Sequence, residues 1–332
     1  MSPVRRIAVV GCGDISTVHL DVIAASESVE LVAVCDTDVE RRVRAEAATG
    51  VSGYADHRTM LHEAHPDIVH VCTPHNEHAP VAIDFLEAGV HVLLEKPLAE
   101  SGEAMDRLLA AADRSTARLA VCYQNRYNPA VRRMHELIAS GEAGTVSGAN
   151  ATVMWSRTPE YYASRPWRGR WLSGGGGLLM NQAIHTIDLL LWMLGDAVSV
   201  VGSASTRMLG DYIDVEDTAD MVITHAGGAQ SVFFATLANG ANDPVTINVT
   251  TDQATLRLAG ELTVVWNDGR TERVFEDPAT GARSYWGLSH KYLIEDFYDS
   301  LDGAEQFWID GPTARKSVDL IQSVYRQAGL PA

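Results

Sequence analysis

The chain is poor in positive charge and in cysteine. Lys and Arg number 26 against 43 Asp and Glu, a formal net charge of −17 at pH 7. A surface that negative disfavours nucleic acid and anionic membrane as partners. The four cysteines, Cys12, Cys35, Cys72 and Cys122, are far apart and lack metal-ligand spacing. They read as reduced, mostly buried thiols of a cytoplasmic protein, and the sequence offers no metal site. No apolar run is long enough to span a bilayer, and the start of the chain lacks a signal peptide's apolar stretch. Internal repeats and low-complexity linkers are absent. What remains, 332 residues with 46% hydrophobic and 21% charged, is the composition of a soluble globular protein with room for two domains.

The most informative segment is the apolar strand that runs into a glycine-rich turn, Arg6-Ile7-Ala8-Val9-Val10-Gly11-Cys12-Gly13-Asp14-Ile15-Ser16. A second apolar strand, Leu31-Val32-Ala33-Val34-Cys35, ends on Asp36. Gly11 fits a tight turn, and Gly13 lets the backbone approach a pyrophosphate. The helix that follows offers unpaired N–H groups to the phosphates. Asp36 stands about 20 residues beyond the turn, where a carboxylate accepts the adenosine ribose hydroxyls. Ser16 replaces the third glycine of the fingerprint and is small enough for close helix–strand packing. A carboxylate repels a 2′-phosphate, and Thr37 and Asp38 supply no arginine to bind one. The expected cofactor is therefore NAD rather than NADP.

Up to residue 123, continuous apolar strands (6–10, 30–35, 68–72, 91–95, 119–122) alternate with helical patterns (16–25, 39–49, 79–88, 104–115). That alternation predicts a doubly wound parallel sheet of Rossmann type. The texture then changes. A helix over 130–140, an irregular stretch to 177 and a helix over 178–194 precede six strand-like runs, 198–205, 219–225, 230–238, 245–251, 254–258 and 262–266. Helices over 291–301 and 312–327 close the chain. The second domain is therefore expected to be α+β, with a large, mostly antiparallel, open-faced sheet. The division predicted is 1–123 for the dinucleotide domain and 124–332 for substrate binding and oligomerisation, with the C-terminal helix free to pack back on the first domain.

Two strand ends point toward the cofactor: Cys72-Thr73-Pro74-His75-Asn76-Glu77-His78 and Leu93-Leu94-Glu95-Lys96-Pro97. Lys96 is either a surface lysine in a turn or, beside a cofactor, a desolvated acid–base group. His75 and His78 form an H-x-x-H pair in a loop with no third ligand, which favours capping and site-lining over metal. In the second domain, Gly174-Gly175-Gly176-Gly177 precedes a helix on which Asn181, His185 and Asp188 fall on one stripe. The glycines allow close approach of another chain segment or a ligand. Arg165, Arg168 and Arg170 form a basic cluster that could hold a phosphate or diphosphate, with salt bridges or cofactor contacts as the equal alternative.

These segments together resemble the glucose–fructose oxidoreductase/inositol dehydrogenase/MocA (Gfo/Idh/MocA) family. The resemblance rests on Gly11 to Ser16, Asp36, Thr73-Pro74 with His78, Glu95-Lys96-Pro97-Leu98-Ala99, and Gly175-Gly176-Gly177 through His185 and Asp188. Asn125-Arg126-Tyr127-Asn128-Pro129, Trp167-Arg168-Gly169 and the run from Ser284 to His290 add to it. It implies an active site between the two domains, with Gly11, Gly13, Asp14, Ile15, Asp36, Thr73, Pro74, His78, Glu95 and Lys96 at the cofactor. It implies Lys96 and His185 as catalytic residues, and Asn125, Trp167, Arg168, Asn181, His185 and His290 around the substrate. The activity implied is NAD-dependent hydride transfer at a secondary alcohol or ketone of a sugar, sugar derivative or cyclitol. Two alternatives are glycoside cleavage through transient oxidation and a non-catalytic dinucleotide or sugar sensor. Many polyol dehydrogenases of the family carry Asp where this chain has Asn181, so a relay through that position is put in doubt. The resemblance also implies a homodimer or homotetramer paired through the open sheet, where Ile247 is expected to face outward.

Overall fold

The computed structural model describes residues 4–275 and 288–332. By their contacts the residues form two compact units. One comprises the described part of Met1–Cys122 with His290–Arg315, the other Tyr123–Ser289 with Lys316–Ala332. The segment His290–Arg315, which the sequence reading left beyond 123, thus groups with the first unit.

The first unit is built on a six-stranded, all-parallel sheet: β1 (Arg5–Val10), β2 (Val29–Cys35), β3 (Ser52–Tyr54), β4 (Ile68–Val71), β5 (His91–Leu94) and β6 (Leu119–Val121). The order is β3-β2-β1-β4-β5-β6, so the chain changes direction across the sheet between β1 and β4. Ligands of open α/β sheets bind at the carboxyl ends beside such a switch point. Ile7, Ala8 and Val9 of β1, and Ile68, Val69 and Val71 of β4, are fully buried, as strands covered on both faces must be. The connecting helices are α1 (Ser16–Ala25), α2 (Val39–Thr49), α3 (His57–Ala64), α4 (His75–Glu87) and α5 (Gly102–Arg114).

Two features differ from the sequence reading. β3 and α3 were not expected, because a three-residue strand centred on a glycine carries almost no pattern. Helix α4 begins at His75 rather than residue 79, so His75 and His78 sit on its first turn and not in a loop. Pro80, the sixth residue of this helix, has no N–H to give the Asn76 carbonyl one turn earlier.

In the second unit, a 3₁₀ turn (Gln124–Tyr127) and α6 (Pro129–Ala139) lead to β7 (Val146–Met154), which the sequence reading missed. Its run Val146-Ser147-Gly148-Ala149-Asn150-Ala151 is small and polar, and it becomes a strand because it pairs on both sides. Short helices α7 (Pro159–Ala163) and α8 (Trp171–Gly174), then α9 (Ile184–Leu194), precede the remaining strands. These are β8 (Ala197–Ser205), β9 (Thr218–His225), β10 (Gln230–Thr236), β11 (Thr246–Thr251), β12 (Ala254–Leu258), β13 (Glu261–Trp266) and β14 (Thr271–Phe275). The eight-stranded order is β14-β13-β12-β11-β7-β10-β9-β8, antiparallel except where β10 runs parallel to β7. Helices α10 (Ser289–Ser300) and α11 (Gly311–Gln327) complete the chain.

Strand period 2 gives the second sheet two different faces. Met221, Phe233, Ala151, Ile247, Leu258 and Leu262 are buried on one face, where α6 packs on β12 to β14 and α9 on β7. The other face carries the cross-strand row Val201–Val222–Val232–Asn150–Asn248. On it Val201 is 71%, Val222 40% and Val232 54% exposed. Ile247 therefore points into the core, a correction to the outward orientation expected for it. Its neighbours Thr246, Asn248 and Thr250 occupy the opposite face. The stretch Trp171–Leu194 has the length and hydropathy of a membrane span, yet 78% of its apolar window is buried inside the protein, as in a core helix.

Candidate active site

The carboxyl edge of the first sheet gathers most of the expected cofactor residues. Gly11 follows β1 with φ +92°, and a Cβ there would lie 2.5 Å from the carbonyl oxygen of Cys72. Only glycine permits this crossing of the ends of β1 and β4. A Cβ on Gly13 would meet nothing within 4 Å, so the turn is open above that residue. Ser16, in the third position of the fingerprint, donates its hydroxyl to the Gly13 carbonyl at 2.7 Å. The first turn of α1, beginning after Ile15, has no side-chain cap, and a helix start of this kind favours an anion.

Asp36 ends β2. One oxygen accepts the N–H of Cys12 and the other the N–H of Asp38, each at 2.8 Å. Each carboxylate oxygen has a second lone pair for a ribose hydroxyl. Thr73 and Pro74 follow β4, and the buried Thr73 hydroxyl oxygen has no hydrogen-bond partner among the described residues. An open turn, a helix start without a side-chain cap, a carboxylate with spare acceptors and an orphaned hydroxyl fit a dinucleotide.

Glu95 and Lys96 follow β5, and the Lys96–Pro97 peptide is cis. His78 supports this turn. Its Nδ1 lies 2.7 Å from the Pro97 carbonyl and its Nε2 3.0 Å from that of Thr73. Burial pushes the His78 pKa down, against the hydrogen bonds to both carbonyls, and the ring braces the two strand ends.

Behind the turn lies a buried chain of side chains that the sequence did not announce. His19 Nε2 is 3.1 Å from Glu95 Oε1. Its Nδ1 is 2.9 Å from His70 Nδ1, and His70 Nε2 is 3.0 Å from the Tyr298 hydroxyl. His290 Nε2 approaches the same Glu95 oxygen at 3.4 Å. One tautomer pattern satisfies the line: Tyr298 donates to His70, His70 to His19, and His19 to Glu95. Burial lowers the pKa of both His19 and His70. For Glu95, burial opposes ionisation, but the hydrogen bonds from His19 and His290 prevail and hold it well below the ordinary range. The Lys96 N–H also reaches Glu95, at 3.3 Å. His290, expected at the substrate, is 2% exposed and stands against Glu95. Ligand atoms of His19, Glu95 and His290 lie within 4.8 Å of one another.

In the second unit, Asn181 and His185 are half-buried on the stretch entering α9. The His185 ring stands edge-on to Tyr123, with centroids 6.1 Å apart at 87°. Leu179–Ala183 forms a π-turn, so the simple i, i+4, i+7 stripe is broken. Asp188 leaves it altogether. It is 2% exposed and takes a bidentate pair from Arg126 at 2.6 and 2.8 Å. The Arg126 guanidinium in turn lies 5.3 Å from the Trp192 ring.

The glycine run before this helix fits its own chain. Gly177 and Leu179 each donate an N–H to the Glu216 carboxylate at 2.8 Å, and Tyr325 donates its hydroxyl to it at 2.7 Å. Half-buried Asn125 lies in the 3₁₀ turn after Tyr123. Trp167 and Arg168 lie in a second such turn, with the Arg168 guanidinium 4.7 Å from the Tyr161 ring. Arg170 turns to Asp214 at 3.6 Å. Ser284, Tyr285, Trp286 and Gly287, part of the expected resemblance, lie outside the described residues.

Residues 5–123 match the family model described as an oxidoreductase family with an NAD-binding Rossmann fold, and residues 131–257 match the GFO/IDH/MocA C-terminal domain. The chain belongs to the Gfo/Idh/MocA oxidoreductases. This member is 30% identical to the WlbA dehydrogenase of Bordetella pertussis, solved in complex with NADH and UDP-GlcNAcA. The match covers 98% of this chain and 97% of WlbA with a TM-score of 0.85. It is 26% identical over 292 residues to D-apiose dehydrogenase of Paraburkholderia graminis, spanning 84% of this chain and 75% of that one. It is 28% identical over 233 residues to the uncharacterized oxidoreductase YrbE of Bacillus subtilis, spanning 68% of this chain and 64% of YrbE. This Gfo/Idh/MocA protein thus has an NAD-binding Rossmann domain and the family's second domain. Its sequence alone gave no sign of Glu216, Tyr325, His70 or Tyr298. Each is remote in sequence from the residue it supports, and the second glycine motif pointed only to close approach of another chain segment or a ligand.

Proposed function

We propose that the protein is an NAD-dependent dehydrogenase acting on a secondary alcohol of a sugar, sugar derivative or cyclitol. The observation that carries this reading is the carboxyl edge of the first sheet. There the open Gly11–Gly13 turn, Asp36, Thr73 and Lys96 follow four parallel strands on one side. Asp36 would hold the ribose diol, and Thr73 with the start of α1 the neighbouring polar groups. NAD bound there supplies the hydride acceptor for the carbinol carbon. Lys96 removes the hydroxyl proton, and His185 polarises the same oxygen or serves as the base. Asn181 can orient the substrate hydroxyl or His185 but cannot titrate. Asp188 is committed to Arg126 and cannot replace the missing aspartate, so the proton chemistry rests on Lys96 and His185. The sugar-directed names of its relatives, D-apiose dehydrogenase and the UDP-GlcNAcA-bound WlbA, support the substrate class.

The test is NADH formation with NAD and a panel of sugars, cyclitols, sugar nucleotides and glycosides. NADH production with one of the alcohols is expected. Glycoside cleavage without net NADH would replace this reading with the transient-oxidation one.

We further propose that the protein assembles as a homodimer or homotetramer through the open face of the second sheet. The row of exposed valines Val201, Val222 and Val232 supports this, since contiguous apolar patches mark interfaces.

A further inference from the structure

The stretch that carries Asn181 and His185 has no cap from its own sequence neighbours. Its opening N–H groups converge instead on Glu216, which is fully buried. Gly177 donates to one carboxylate oxygen and Leu179 to the other, each at 2.8 Å, and Leu178 donates to the Glu216 carbonyl at 3.1 Å. Tyr325, on α11 and also fully buried, donates to the carboxylate at 2.7 Å.

The glycines match this clamp sterically. A Cβ on Gly177 would lie 2.2 Å from the Glu216 carbonyl oxygen, and one on Gly176 2.2 Å from the Tyr325 hydroxyl. The approach of Glu216 and Tyr325 thus requires two residues of the glycine run. Upstream, Trp171 anchors to the same strand lead-in, its N–H and indole N–H reaching Asp214 at 3.1 and 2.6 Å. The Trp171 ring stands edge-on to Tyr325, centroids 5.1 Å apart.

We propose that Glu216 is a positioning residue, whose carboxylate, tied to Gly177, Leu179 and Tyr325, fixes where Asn181 and His185 stand. This inference rests on the proposed role of His185. A carboxylate with three donors around it is matched as an anion. A protonated carboxyl gives up an acceptor and confronts one of those donors with another. Burial pushes the Glu216 pKa up to about 7, against the hydrogen bonds of Leu179, Tyr325 and Gly177. The titratable groups facing it are Tyr325 from α11 and Tyr162 from α7, both held protonated by burial. The adjacent Asp217 carboxylate turns away to the N–H groups of Arg207, Met208 and Leu209. The clamp is therefore tightest above neutral pH and loosens as Glu216 gains a proton.

The test compares wild type, Glu216→Gln and Tyr325→Phe. One readout is the pH profile of kcat. The other is the imidazole proton shift of His185, assigned by its loss in His185→Gln and followed through pH without substrate. Displacing a reacting group by about 1 Å costs on the order of 100-fold in rate, so Glu216→Gln is expected to lower kcat by about 10- to 100-fold with KM much less affected. In wild type the His185 shift should carry an inflection near neutral pH, from Glu216, that Glu216→Gln abolishes. Tyr325→Phe, which removes one donor to the anion, should move that inflection to higher pH. A His185 titration identical in all three proteins would overturn the proposal. If Glu216→Gln does not fold, Tyr325→Phe alone decides by whether the inflection moves. Because the shift is read without turnover, failure to find a substrate would count against the dehydrogenase reading and leave this test standing.

Discussion

The Asp36 carboxylate takes the backbone N–H of Cys12 at 2.8 Å, joining the end of β2 to the glycine turn after β1. The same group that is proposed to read the ribose thus also shapes the turn. Asp36→Ala should weaken NAD binding and erase its advantage over NADP, measured by calorimetry with both cofactors. The guanidinium of Arg42 already reaches the Asp36 carbonyl at 2.8 Å and would stand free of the repelling carboxylate's influence on a 2′-phosphate. The lost backbone tethers should also cost about 1–3 kcal/mol of stability. Equal or tighter NADP binding by the wild type would refute the assignment.

Lys96→Ala and His185→Ala should each lower turnover by roughly 10²–10⁴-fold, the usual contribution of an acid–base group. NAD affinity should change little in His185→Ala. Asn181→Ala should raise KM more than it lowers kcat. If both Lys96→Ala and His185→Ala lose less than about tenfold, the roles assigned are wrong.

The two faces of the second sheet give opposite expectations for the same kind of substitution. Val232→Glu, on the exposed row, should yield a folded protein of lower mass by light scattering. Ile247→Glu buries a charge and should prevent folding. A wild type that is monomeric at micromolar concentration would remove the proposed interface.

Asp188→Ala would strand the Arg126 guanidinium in the core. Breaking a buried pair in this way costs about 3–5 kcal/mol, which urea denaturation can read. A loss near zero would mean that water reaches Arg126.

His19 and His70 are buried with pKa values below the ordinary 6.5, so the unfolded chain binds more protons than the folded one in mild acid. Their contribution to stability is fully present above pH 6.5 and is lost as pH falls below it. Glu216 acts in the opposite sense over the same range, because the folded protein takes up its proton near pH 7 and the unfolded chain only in stronger acid. The test is therefore the variant: in His70→Leu the difference in thermal midpoint between pH 7.5 and 5.5 should shift toward greater stability in acid than in wild type, and an unchanged difference would exclude a neutral buried imidazole at His70.

The local pattern of the chain was enough to reveal five of the six strands of the first sheet, its glycine turn and Asp36. Each of those five is a mainly apolar run, and the turn chemistry is confined to neighbours in sequence. The alternation of β10 and β11 likewise announced an antiparallel sheet with two unlike faces. Which face is covered was a different matter. Ile247 alternates equally well in either register, and the packing of α6 and α9 decided it. β7 was illegible because small residues become a strand only between two partners. Helical spacing put Asp188 one turn after His185, but its partner, the buried Arg126 guanidinium, lies in the core. The supports of the site, Glu216 under the glycine run and His19, His70 and Tyr298 behind Glu95, come from segments far apart in the chain. Hydrogen bonds between such groups leave no periodic trace in a sequence. They exist only once folding has removed water and left each buried polar atom to find its partner in the tertiary structure.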